Sequence, residues 1–381
     1  MLRPPSSVVR GLVAVPAVLA VLAVSACSGG DEATTTTVEV DREEIVAAIA
    51  QDVIVPGYED LATRTDELAT TTAELCAFPE AAAFDRAREA WDAAQGAWSS
   101  TAAYRLGPIR PLRLTARIEY PVDTDKIDEL AADSAEPAPV TPEALAESGA
   151  DLRGLNAVEH LLFTPTDVGQ LTARQCAYAA AAARLSADGA AELLAAWVDG
   201  VDGEAAAVDQ LSNPGEDSMW ESSTEALEDL LNTSLSALTT VVDMQLGPAS
   251  GETTEAPEPQ VVDDGAAHRA LADVADELRS VQAVYGESTA TPPTGLSALV
   301  AAAATSTSDE AVRSDLAGAI AAVGDVPPPL YDVDPADTAS TAMESLVDGY
   351  EHALGARTAL GTEIASLLGL TISFSDSDGD G

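Results

Sequence analysis

The stretch FDRAREAWDAAQGAWSSTAAYRLGP, residues 84–108, decides the fold. Alanine dominates it, with arginine next among the helix formers, and both favour helix. Trp91 and Trp98 are seven residues apart, two helical turns, so they share one face, with Gln95 between them on the same side. Gly107-Pro108 then supplies a stop, because proline cannot continue the hydrogen-bond ladder. The pattern predicts a helix over 84–106. Two tryptophans at this spacing read as packing residues rather than as cofactor contacts.

The same pattern extends in both directions. Upstream, Ile45, Ile49 and Val53, then Leu61, Leu68 and Leu75, form an apolar stripe, and Pro56-Gly57 predicts a kink or a brief break in it. Downstream lies an irregular stretch around 118–123, a short helix over 126–132 and a Pro- and Ser-rich loop over 134–142. Helices are then expected over 152–163, 172–185, 188–211 and 222–246, the last closed by Gly247-Pro248. The segment 249–265, rich in Pro, Glu, Gly and Thr, reads as a linker. Beyond it helices are expected over 267–285, 295–305, 309–323 and 338–368. Strand signals are nearly absent and no short repeat recurs, so the expectation is an all-α protein of two helical bundles, 41–248 and 266–381, rather than a solenoid.

The amino terminus sets the compartment. Arg3 and Arg10 precede an uncharged Ala, Val and Leu run that ends at Val24-Ser25-Ala26-Cys27, a lipobox. Residues 1–27 therefore read as a lipoprotein signal peptide, with the Cys27 thiol accepting the lipid and 28–40 forming a tether. The alternative, a transmembrane anchor, needs about 20 apolar residues, more than this run provides. The expected location is the outer face of a bacterial membrane, with the membrane itself as a partner through the Cys27 lipid.

Of 381 residues, 64 are acidic and 18 are Lys or Arg, for a net charge of −46. That balance excludes a nucleic-acid partner, because phosphate binding is driven by Lys and Arg. An acidic surface can attract cations or simply confer solubility, and composition does not separate the two. With Cys27 used by the lipid, Cys76 and Cys176 remain as an even pair in an oxidising setting. A disulfide is the economical expectation; two buried thiols or soft metal ligands are the alternatives.

Three further stretches turn the pattern into a resemblance. The tryptophan-pair helix with its Gly-Pro stop, IEYPVDTDKI at 118–127 and GLNAVEHLLF at 154–163 follow one another as in the imelysin-like family. QLGP at 245–248, LRSVQAVY at 278–285 and the tail from Leu367 are similar to its second half. The resemblance implies two helical bundles with the signature Gly-x-His-x-x-Glu near their junction, an exported location, and a link to iron uptake and iron-transport components in many members. Some members are classed as M75-type metallopeptidases.

The signature falls on Gly154, Asn156 and Glu159, and the family's metal-binding histidine is replaced here by Asn156. A neutral amide is a poor ligand for a transition metal and no base near neutral pH. His160 follows Glu159, but adjacent helical residues point about 100° apart. Ala102 stands where the resemblance implies an acidic residue. Asn156, Glu159 and His160 are thus candidates either for a site that holds a divalent metal, iron or a small ligand, or for a satisfied polar network between bundles. Peptidase chemistry would need an open metal position and a general base, and no His-Glu-x-x-His helix exists. His268 and His352 read as ordinary structural residues. Asp376–Gly381 resembles the opening of a calcium loop without its twelfth-position acid, and reads as an acidic tail. Three functions remain: a non-catalytic envelope binding protein, a metallopeptidase, or a helical interaction scaffold with a degenerate site.

Overall fold

The computed structural model describes residues 41–373 except 133–139, 202, 288–290, 292, 304 and 305. The signal segment with Cys27, the tether and the acidic tail lie outside the described residues, as does most of the Pro- and Ser-rich loop. Every regular element among the described residues is helical.

Helix α1 (Arg42–Ile49) opens under the cap of Asp41, whose carboxylate accepts from Glu43 N. It runs through a π-helical turn, Ala50–Ile54, into α2 (Val55–Ala77). That wider turn stands where a kink was predicted: it takes up the ladder bond that Pro56 cannot donate, and the helix goes on. Next come α3 (Ala81–Ser99), α4 (Leu155–Phe163) and α5 (Ala173–Val198). A capping box formed by Thr172 and Gln175 starts α5. Helix α2 packs on α3 and α5, and α4 closes the first bundle against α3 and α5.

The second bundle is built from α6 (Ser223–Thr239), α7 (Ala270–Tyr285), α8 (Ser306–Asp325) and α9 (Thr341–Ala359). Helix α8 packs along α9 and on α7, and α6 packs on both α7 and α9. The bundles meet where α7 lies against α3, and where α6 lies against α1 and the 3-10 turn Ala102–Tyr104. Trp91, Trp98, Trp197 and Tyr58 are almost wholly buried, each such ring contributing about 2–3 kcal/mol by transfer from water. Trp91 also donates to Leu155 O at 2.9 Å and meets the Phe163 ring edge-on, which ties α3 to α4.

The Cys76–Cys176 disulfide is formed and fastens the end of α2 to the start of α5, with Cα atoms 5.5 Å apart.

Several boundaries differ from those the sequence predicts. Helix α3 stops at Ser99 rather than 106, because Thr101 Oγ1 and the Arg105 guanidinium both donate to Trp98 O and take the place of the next helical N–H. The gap predicted at 186–187 is absent, since α5 runs on to Val198, and the second predicted helix, 188–211, instead breaks after Val198 and resumes only as a short helix, Ala207–Ser212. Gly189 lies inside α5 where the chain meets Ile118, whose Cγ1 would stand 3.2 Å from an added Cβ, so this glycine marks a close approach and not a break. Gly247-Pro248 does not end α6; a π turn, Thr240–Leu246, and a further turn, Gly247–Ser250, carry the helix to Gly251.

The stretch 249–265 contains a helical turn, Pro259–Val262, and the buried Asp263. The Asp263 carboxylate accepts from Ala270 N at 3.2 Å and Tyr331 N at 2.8 Å, so it caps α7 and pins the stretch to the second bundle.

Candidate functional site

Gly154 begins the signature helix with φ +88°, and a Cβ there would stand 2.9 Å from Ile118 O. Only glycine accepts both that backbone and that contact. From this start α4 sends its polar side chains in three directions. Asn156 Nδ2 donates to Tyr120 O at 3.2 Å. Glu159 Oε1 accepts from Ala267 N at 2.9 Å, tying α4 to the approach of α7. Burial raises the Glu159 carboxyl above its ordinary range, with Glu119, Asp264 and Asp263 adding to the effect and the Ala267 N–H opposing it.

His160 turns away from both. Its Nε2 pairs with Asp128 Oδ1 at 2.8 Å, its Nδ1 lies 3.3 Å from Thr164 Oγ1, and it lines a small cavity of about 170 Å³. A chelate needs its donors aimed at one point. Here the amide is committed to a carbonyl, the carboxylate to a backbone N–H and the imidazole to a second carboxylate, so the three residues do not fit a shared metal. Among the described residues no group of three or more His, Cys, Asp or Glu could hold one. His268 sits against Asp263 and the Tyr331 ring, and His352 pairs with Asp315 at 3.0 Å.

The denser constellation lies where α3 meets α7. Gln95, Trp98 and Ser99 share one face of α3, at i, i+3 and i+4. Trp98 Nε1 and Gln95 Nε2 both donate to the Glu119 carboxylate, and Ser99 Oγ donates to Asp273 at 2.7 Å. From the other side Arg269 pairs with Asp92, Asp273 and Asp276. Arg269, Asp273, Asp276 and Glu277 recur at i, i+4, i+7 and i+8, one face of an amphipathic helix. That spacing was readable in the sequence, but without a partner helix it is indistinguishable from a solvated charged face. Charge pairing alone therefore did not reveal it.

Two carboxyls here leave their ordinary range. Burial lifts Asp273 to about 7 although Arg269 and Ser99 favour its ionised form, and Glu119 adds to the rise. Burial likewise lifts Glu277 to about 8, with Asp273 and Glu119 raising it further and Arg105 and Gln245 opposing. At neutral pH Glu277 is predominantly a neutral acid.

Arg105 stacks on the Trp98 ring at 3.7 Å, and its hydrogen bonds go to Trp98 O and Thr101 Oγ1, both uncharged. Among the described residues, Glu277 Oε2, Gln245 Oε1 and Gln95 Oε1 have no hydrogen-bond partner, and Gln95 is only 5% exposed. Buried polar atoms left in this state cost about 1–3 kcal/mol each unless something else satisfies them. Arg105 and Glu277 line a cleft of about 540 Å³, together with Arg110 and, from α6, Asn232 and Thr233.

Fold and junction together define a two-bundle helical protein with a charged, partly unsatisfied seat between its halves. The chain belongs to the imelysin family: the family described as Imelysin, Peptidase M75, matches residues 54–361. Among solved structures, an imelysin-like protein from Psychrobacter arcticum 273-4 is similar at a TM-score of 0.66 and 19% identity, covering 87% of this chain and 97% of its own. A protein described as an iron-regulated protein A precursor, from Parabacteroides distasonis ATCC 8503, is similar at a TM-score of 0.66 and 16% identity, covering 84% of this chain and 95% of its own. At these identities the likeness is one of fold. No curated protein matches the chain.

Proposed function

We propose that this protein is a non-catalytic binding protein of the bacterial cell envelope, tethered through the Cys27 lipid, that serves iron uptake by holding a small ligand at the bundle junction. The observation that carries the reading is Glu277: a buried, raised carboxyl that lines an open cleft with Arg105, its Oε2 without a hydrogen-bond partner among the described residues. Membership of the imelysin family supports an exported location, and the name of the Parabacteroides protein supports the iron link. Asn156 in the histidine place of the signature, with its amide spent on Tyr120 O, argues against a metallopeptidase. No described helix is long and apolar enough to cross a membrane; in this reading the Cys27 lipid supplies the attachment.

The test is calorimetric. The chain from Ser28, stripped with chelator, is titrated with ferric citrate and separately with Fe(II), Zn(II) and Ca(II), beside Glu277→Ala and the double variant Glu159→Ala, His160→Ala. We expect saturable binding of about one ferric citrate per chain, weakened roughly tenfold or more by Glu277→Ala, the loss of one well-placed hydrogen bond to an anion. Bare metals should bind weakly and equally to all three proteins. One bare metal ion per chain, lost in the Glu159 and His160 variant, would return the site to α4 and refute the proposal.

A further inference from the structure

The cleft at Arg105 does not end at Ser236. A second cavity of about 490 Å³ continues along the same side of α6 and its π turn, and the two share Asn232, Ser236, Thr240 and Ser373 as common wall. Their two ends differ in chemistry. At the inner end stand Arg105, Arg110 and Glu277. At the outer end Leu235, Met244 and Ile372 supply apolar surface, and Met244 is 63% exposed.

The charges at the inner end do not cancel. Arg110 is neutralised by Asp229 at 3.1 Å, and Asp229 also accepts from Trp220 Nε1. Burial raises Glu277 to about 8, which favours its protonated form at neutral pH. Arg105 has no carboxylate within ion-pair distance among the described residues, so one positive charge is left over on the cleft wall of a chain whose net charge is −46. Beside it, Glu277 Oε2 has no hydrogen-bond partner among the described residues, while Glu277 Oε1 faces the Gln245 amide at 3.5 Å. A guanidinium and a carboxylic acid O–H side by side suit an anionic oxygen acceptor. At the outer rim, by contrast, Arg357 is paired with Asp243 at 2.7 Å and adds no net charge.

Resting on the binding reading above, we infer that the double cleft takes an amphipathic organic carboxylate, its carboxylate on Arg105 and Glu277 and its apolar arm along Leu235, Met244 and Ile372. The combined space falls in the range of ordinary small-molecule sites. The hydroxyls of Ser236 and Thr240 at the waist tolerate either a methylene or a polar linker.

Decanoate, butyrate and decylamine are the probes, with the chain from Ser28 and calorimetry as readout. Decanoate should bind at about one per chain and at least tenfold more tightly than butyrate, since six buried methylenes far exceed the 1.4 kcal/mol that a factor of ten requires. Decylamine should not bind. Ala102→Glu puts a carboxylate on the cleft wall and should abolish decanoate binding. Met244→Glu, at an exposed position that folding does not need, should weaken decanoate at least tenfold while leaving ferric citrate unchanged.

Equal affinity for decanoate and decylamine would overturn the inference, because apolar surface alone would then account for it. Decanoate binding seen only after residues 374–381 are removed would also overturn it, by assigning the cleft to the chain's own acidic tail. Ferric citrate binding without decanoate binding would defeat this inference and leave the binding reading standing; loss of both would defeat the binding reading itself.

Discussion

Replacing both Cys76 and Cys176 by alanine is expected to lower the unfolding free energy by about 3–5 kcal/mol. The bridge spans 100 residues, and closing a loop of that size removes roughly 4.7 kcal/mol of chain entropy from the unfolded state. It also fastens α2 to α5, the two longest helices of the first bundle, between which the chain carries α3, Glu119 and the signature helix. Urea unfolding of the oxidised protein and of the double variant measures the difference. A difference below about 1 kcal/mol would mean that the packing of α2 on α5 fixes the unfolded ensemble without the covalent link. Binding at the junction should survive the change at low temperature, because neither sulfur touches the seat.

Stability should fall as pH rises from about 5 to 8, and Glu277→Gln should remove much of that fall. The sign follows from which state holds the protons. Glu277 is raised from 4.5 to about 8 and Asp273 from 3.8 to about 7, both chiefly by burial. Between the unfolded and folded values the native state holds protons that the unfolded chain has released, so the slope of unfolding free energy against pH is negative. Every tenfold gain in proton affinity on folding corresponds to about 1.4 kcal/mol. Allowing for the solvent that reaches the cleft, we expect Glu277→Gln to be about 2–4 kcal/mol more stable than the wild type at pH 9 and nearly equal to it at pH 5. Thermal or urea unfolding across that range tests this. A constant offset at every pH would show that glutamine merely packs differently and that Glu277 titrates normally.

The fold was legible because its determinants are local. Helical periodicity, the tryptophan pair and the missing strand signals specify bundles without reference to anything distant in sequence, and the even pair of cysteines made the bridge the economical expectation among three. Element ends were less legible where a tertiary contact decides them. The gap expected at 186–187 is helical once Ile118 packs against the same face at Gly189, and Gly247-Pro248 reads as a stop until the π turn before it is seen.

The junction was the least legible part. Asn156, Glu159 and His160 were found by their spacing, yet their partners, Tyr120 O, Ala267 N and Asp128, lie far away in the chain and send the three side chains apart. Asp273 and Glu277 share a readable helical spacing, but nothing sets them apart among 64 acidic residues, because burial distinguishes them and burial is a property of the packed bundles.

The central claim is that Glu277 holds a proton at neutral pH and meets the ligand with it. Infrared difference spectra of the wild type against Glu277→Gln at pH 7, with and without saturating ferric citrate, read this directly. We predict a protonated-carboxyl C=O band in the wild type that is absent from the variant and shifts when ferric citrate is added. The absence of that band from the wild type, or a band that ferric citrate leaves unmoved, would contradict the account.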